Sequence, residues 1–190
     1  MKTASLALCT IALLAACATR QPDHFHVLSP QPAGAGNAQS GTRTLISLSV
    51  TLPSVIDRPE MVLNTSADGI VVLEHERWAA PLTDLVSQAL ARDIERRRSG
   101  LLVADRSFNV NGAPAAKITV AVVQVLAHKG GSAVMETHWR ILDTHTGKES
   151  LGGEVFSAPL AADGYAALPQ SLSDCLGQLA DRLAAQLPGS

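Results

Sequence analysis

The chain has 190 residues, 15 of them basic and 17 acidic, a net charge of −2, and only 3% aromatic residues. That length leaves room for one domain after a leader. The absence of a basic excess excludes a generic nucleic-acid binder, and the scarcity of rings excludes a base-stacking platform.

The start reads MKTASLALCTIALLAAC, with Lys2 as a positive n-region and a nearly unbroken apolar or small run from Ala4 to Ala16. The run is shorter than the roughly 20 apolar residues that span a bilayer. It has the proportions of a secretory h-region. Leu14-Ala15-Ala16-Cys17 resembles a bacterial lipobox. In that motif the cysteine thiol receives diacylglycerol, the peptidase cuts before the cysteine, and the new amino terminus is acylated, for example with palmitate. More than one chain gives stable anchoring, because burial is worth about 0.8 kcal/mol per CH₂. The expected organisation is therefore a signal peptide at 1–16, a lipidated Cys17 with a flexible tether over 17–41, and a domain over 42–190. Ala18, rather than Asp, follows the cysteine; by analogy with enterobacterial lipoproteins this favours the outer membrane. Lys2 leaves with the leader, so 14 basic residues face 17 acidic ones in the mature chain, a net of −3. Cys9 leaves as well, and Cys175 remains as the lone thiol of the folded part, expected to be buried and inert.

Residues 18–41 are rich in Pro, Gly, Ala and Ser, the composition of a tether. Within them HFHVLSP suggests a short edge strand over 24–28, ended by Pro30. Ile46, Leu48, Val50 and Leu52 then alternate with Ser47, Ser49 and Thr51, the period of a strand with one buried face. A turn with Pro59 leads to a short strand at Met61–Leu63, and GIVVLEH gives another. The period changes at ERWAAPLTDLVSQALARDIERRRSG. Trp78, Leu82, Leu85, Val86, Ala89, Leu90 and Ile94 recur at three and four, which predicts an amphipathic helix with Pro81 in its first turn and Gly100 at its exit.

LLVAD is a short strand, and AAKITVAVVQVLAH a longer one, apolar on both faces over Ile118–Val125 and hence central. In SAVMETHWRILDT, Met135, Thr137, Trp139 and Ile141 alternate with Glu136, His138 and Arg140. Asp143 and Gly147 predict a hairpin turn before the returning strand SLGGEVFSAP. A final helix carries Leu172, Cys175, Leu176, Leu179, Leu183 and Leu187 on one stripe, with Pro169 in its first turn. The fold class is α+β: one mostly antiparallel β-sheet with two amphipathic helices packed on one face.

The sequence lacks the G-x-S-x-G, P-loop, G-x-G-x-x-G and H-E-x-x-H patterns, so no catalytic, cofactor-binding or metal-binding residue is assigned and the chain is not read as an enzyme. His24 and His26 would share one strand face and could hold a metal. With no acidic or Cys partner at ligand spacing, the reading is a solvent-exposed edge. Glu74 and Glu76 would lie together on the face away from His75. The ARDIERRRSG cluster reads as a solvated helix end whose arginines complement the dipole, with a docking patch for an acidic protein or lipid headgroup as the alternative.

Three stretches, SVTLPSVIDRPEMVL, ERWAAPLTDLVSQALARDI and GYAALPQSLSDCLGQLADRL, resemble the PqiC/YmbA-like family of ABC-type transport auxiliary lipoproteins. The similarity runs from about His26 to Leu187. Its most specific parts are Asp57-Arg58-Pro59 after the Leu-Pro strand end, and Arg77-Trp78-Ala79 with Pro81-Leu82. The tyrosine usual in the first strand stands here as His26. The resemblance implies an outer-membrane, periplasm-facing auxiliary subunit, partnered by an MCE-domain protein and inner-membrane transport subunits, in lipid transport that maintains the envelope. It implies no catalytic residue. A ring-like partner favours a homo-oligomer. Candidate partner contacts are Asp57, Arg58, Pro59 and Trp78, although Trp78 lies on the apolar helical stripe and Pro59 can serve only to set a turn. The rival readings are an adaptor or pilotin of a lipopolysaccharide or secretion machine, a lipid carrier, and a hydrolase.

Overall fold

The computed structural model describes residues 21–32, 42–66, 69–106, 108, 112–128, 130–160 and 165–187. In chain order the elements are β1 (His24–His26), β2 (Thr44–Thr51), β3 (Glu60–Ser66), β4 (Gly69–Trp78), α1 (Leu82–Arg97), β5 (Leu101–Ala104), β6 (Ala116–Ala127), β7 (Ser132–Asp143) and β8 (Glu149–Pro159). A single 3₁₀ turn at Tyr165–Ala167 then leads into α2 (Leu168–Gln186).

The strands form two sheets, a three-stranded one ordered β1-β4-β3 and a five-stranded one ordered β5-β2-β6-β7-β8. The α+β class stands, but the sheets are mixed rather than one mostly antiparallel sheet. β3/β4, β6/β7 and β7/β8 are antiparallel, as their short loops require. β1 runs parallel to β4, and β2 runs parallel to both β5 and β6. These parallel pairings join strands separated by long connections, which leave no turn signature in the sequence.

The alternation in β2 places Ile46, Leu48 and Val50 inward, opposite Ala116, Ile118 and Val120 of β6. The same face continues through Ile141, Trp139 and Thr137 of β7 and Phe156 and Ala158 of β8. Both helices cover it, α1 over β2 and β5 and α2 over β7 and β8, and they pack on each other. The two helical stripes are buried as their spacing predicts. Leu90, Ile94, Leu179 and Leu183 are fully enclosed, and burial of each such side chain is worth about 1.5–3 kcal/mol.

Two details depart from the sequence reading. Trp78 is not on a helix; it ends β4, with its ring buried in the core. Helical spacing mistook it for the first turn because Ala79–Pro81 lie between it and α1. β6 is central, but it buries one face only; Val123 on its far side is 40% exposed. A register shift between Val122 and Gln124 accommodates the extra apolar residue as a bulge.

Candidate functional site

The Ser54–Glu60 turn stands where β3, β4 and α1 meet. Its backbone closes through Ile56 N–H and Asp57 N–H, which both donate to the Pro53 carbonyl, at 3.0 and 3.1 Å. The Pro59 carbonyl accepts from Trp78 N–H at 2.7 Å. α1 begins after Pro81, whose side chain supplies no cap. Asp57 supplies it instead: Oδ1 accepts from Thr83 N–H at 3.0 Å and Oδ2 from the Thr83 hydroxyl at 2.6 Å. A carboxylate at a helix start satisfies an orphan donor and complements the dipole.

Of the four candidate contact residues, the structure therefore brings Asp57, Pro59 and Trp78 together as a junction that fixes the turn. Arg58 points outward, its side chain 44% exposed, and donates to Glu60 Oε2 at 2.9 Å. Arg77 approaches the other Glu60 oxygen at 3.1 Å. The Arg58 hydrogen bond, with the positive charges of both arginines, holds the Glu60 carboxyl below its usual range. These three side chains, with Asp23, Glu74 and His75, line an open, mostly polar cavity of about 550 Å³ on the outer face of the three-stranded sheet.

β1 is tied to this sheet by side-chain hydrogen bonds that sequence spacing did not reveal. His24 Nδ1 and His26 Nε2 reach the two oxygens of Glu76 at 3.0 and 2.5 Å. The acidic partner that the sequence reading lacked thus comes from β4, a strand about 50 residues downstream. Burial pushes the Glu76 carboxyl up, but the hydrogen bonds from the two histidines outweigh it and leave it lowered. His75 points to the opposite face and meets Asp23 at 3.1 Å. Among the described residues no group of three His, Cys, Asp or Glu is arranged to hold a metal ion.

The chain after β1 is also docked. Leu28 is buried. Ser29 N–H donates to Ser173 Oγ of α2 at 3.1 Å, and Gln31 N–H donates to Asp93 Oδ1 of α1 at 2.7 Å. Arg96 donates to the carbonyls of Pro30 and Gln31. Residues 21–32, expected within a flexible tether, therefore pack on the sheet and across both helices. Arg97 and Arg98 of the arginine cluster are used internally as well. Arg97 pairs with Asp181 and Asp93, and Arg98 donates to the Ala184 and Leu187 carbonyls at the end of α2. Arg97 and Arg98 form an interhelical clasp, and Arg98 caps the C-terminus of α2.

The family comparison spans this domain from the end of β1 to the last turn of α2. Residues 26–184 match the family described as the ABC-type transport auxiliary lipoprotein component. The chain belongs to that family. Comparison with curated proteins finds no match. Among solved structures, one described only as an uncharacterized protein aligns with a TM-score of 0.73 at 17% identity, covering 88% of this chain and 100% of that one. Protein XCC0632 from Xanthomonas campestris, of the DUF330 family, aligns at 0.65 and 15% identity, covering 84% of this chain and 92% of that one. At such identities the likeness establishes the fold. The family is one of transport auxiliary lipoproteins. Cys17, the auxiliary lipoprotein's candidate lipidation site, lies outside the described residues. Among the described residues no helix is long and apolar enough to cross a membrane.

Proposed function

We propose that this auxiliary lipoprotein is held on the periplasmic face of the outer membrane by acyl chains on Cys17. There it serves as a subunit of an MCE/ABC-type system that moves lipids between the membranes and maintains the envelope. The observation that carries this reading is the family match over 26–184, preceded in the same chain by Leu14-Ala15-Ala16-Cys17. The anchor fixes the domain at the membrane. The rigid two-sheet body docks on the end of an MCE assembly and aligns it with the bilayer. Arg58, exposed although paired with Glu60, is the candidate side chain that faces a partner, while Asp57, Pro59 and Trp78 hold the turn that presents it. A homo-oligomer matched to a ring-shaped partner fits the outer strand β8, whose Leu151 and Val155 are 74% and 58% exposed.

The test is a pull-down. The full chain, tagged at its C-terminus, is recovered from detergent-solubilised envelope of the native host, and co-purifying proteins are identified by mass spectrometry. The expected result is an MCE-domain protein with inner-membrane transport subunits, retained less well by Arg58→Glu. Recovery of secretion or lipopolysaccharide-assembly components without any MCE protein would overturn the reading in favour of an adaptor for another machine.

A further inference from the structure

We propose that the N-terminal end of β4, presenting Ile70 and Val71, lies against the bilayer that holds the anchor. The body is then seated on the membrane rather than hung below it. The proposal rests on lipidation of Cys17.

The direction of the leading chain carries the argument. β1 pairs in parallel with the C-terminal end of β4, His24 beside Glu76 and His26 beside Trp78. The chain upstream of His24 therefore runs toward the N-terminal end of β4. Asp23 keeps that register by meeting His75 at 3.1 Å, and Gln21 borders the same cavity as Val72. Ile70 and Val71 follow Val72 immediately toward the N-terminal end of β4, at about 3.3 Å per residue. Cys17 is four residues before Gln21, a reach of at most about 14 Å. The leading chain thus runs toward the N-terminal end of β4, and Cys17 is separated from Gln21 by no more than that reach.

Slack cannot be drawn from further along the chain. Glu76 holds His24 and His26, Ala79 N–H donates to the His26 carbonyl at 2.9 Å, and Asp93 and Ser173 hold the residues that follow. Ile70 and Val71, at the end of β4 toward which the leading chain runs, are apolar and 53% and 42% exposed. Asp23 hydrogen-bonds to His75, and Glu60 is paired with Arg58 and Arg77 within the domain. The approach of lipid leaves the Glu60 charge paired.

The acylated full chain, reconstituted in phosphatidylethanolamine–phosphatidylglycerol vesicles with a nitroxide on the lipid acyl chains, tests this. Ile70→Cys and Leu151→Cys variants each carry a bimane fluorophore. Native Cys175 is enclosed and does not take the label. Leu151 is more exposed than Ile70, so insertion by hydrophobicity alone would favour position 151. The expected result is quenching at position 70 several-fold above that at 151; Val71→Cys, labelled in the same way, reads the same end independently. Equal quenching, or stronger quenching at 151, overturns the seating while leaving the lipoprotein reading intact. Mass spectrometry showing no acyl group on Cys17 overturns both.

Discussion

The carboxylate of Asp57 caps α1 through Thr83, 26 residues downstream, accepting from both its backbone N–H at 3.0 Å and its hydroxyl at 2.6 Å. Two motifs far apart in sequence, Asp57-Arg58-Pro59 and Pro81-Leu82, are thereby one structural unit. Asp57→Ala is expected to lower stability by about 1 kcal/mol, the usual cost of a lost N-cap. Asp57→Asn, which keeps an acceptor, should lose less. Urea unfolding midpoints measure the difference. Equal midpoints for Asp57→Ala and the parent would show that the cap is dispensable.

A second contact of this kind predicts a pH dependence. Asp93 is fully enclosed, its Oδ1 accepting from Gln31 N–H at 2.7 Å and facing Arg97 Nη1 at 3.4 Å. Burial raises its carboxyl above the ordinary 3.8, with the Gln31 hydrogen bond and the positive charges of Arg97 and Arg96 opposing the rise. From 3.8 up to the raised value the folded state keeps a proton that the unfolded chain has lost. Stability therefore falls as pH rises through that window, and the cost of the buried charge persists above it. Asp93→Asn retains the acceptor for Gln31 and removes this slope. Urea midpoints of the two proteins, taken at successive pH values, should diverge in favour of the variant as pH rises above 3.8. Parallel curves would show that Asp93 does not titrate differently on folding.

The fit of the leading chain against α2 is testable at Gly177. A Cβ built there would lie 3.0 Å from Cβ and Cγ of Gln31 and 3.3 Å from Arg97 Nη2. Alanine in a helix interior is worth about 1 kcal/mol over glycine, so Gly177→Ala should stabilise wherever that space is open. With Gln31 present the gain is offset by displacement of the docked segment. In a Gln31→Gly background it should reappear, giving a coupling of at least about 0.5 kcal/mol in a double-mutant cycle. Additive effects would mean that the segment at Gln31 yields freely.

How far such relationships could be read in advance depends on their range. The strand β2, the β7–β8 hairpin and both helices were legible because their signals are local. Ile46, Leu48 and Val50 alternate. Asp143 Oδ1 accepts from the His145 and Thr146 N–H groups, the turn its residue type predicts. Cys175, on its predicted stripe, is enclosed, and burial pushes its thiol up to about 12. What escaped is long-range. Parallel strands carry no turn signature, so β2 beside β5 and β6 could not be inferred from either partner. Glu76 gave no sign of receiving two histidines from β1, nor Arg98 of closing α2. In the candidate site, the motif residues were legible as a group but their division of labour was not. Asp57 and Trp78 differ from Arg58 only through what the fold places beside them.

Two adjacent glycines of β8, Gly152 and Gly153, differ in what faces them. A Cβ on Gly152 would lie 2.4 Å from Cε2 and Cζ2 of Trp139. That ring is held: it is buried, stacked with Phe156 at a centroid distance of 6.5 Å, and its N–H donates to Gln186 Oε1 at 3.3 Å. A Cβ on Gly153 would meet His138 Cδ2 at 2.7 Å. The His138 side chain is 64% exposed and can swing into solvent. Gly152→Ala must therefore move a packed indole, which should cost about 1–3 kcal/mol. Gly153→Ala should be neutral or slightly stabilising, since glycine weakens a strand interior. Urea midpoints and the near-ultraviolet circular dichroism of the tryptophans read both effects. Gly152→Ala should change the tryptophan signal as well as the midpoint, and Gly153→Ala should change neither by much. Equal losses at the two positions would show that crowding in the strand itself, rather than the fixed indole on one face, keeps glycine there.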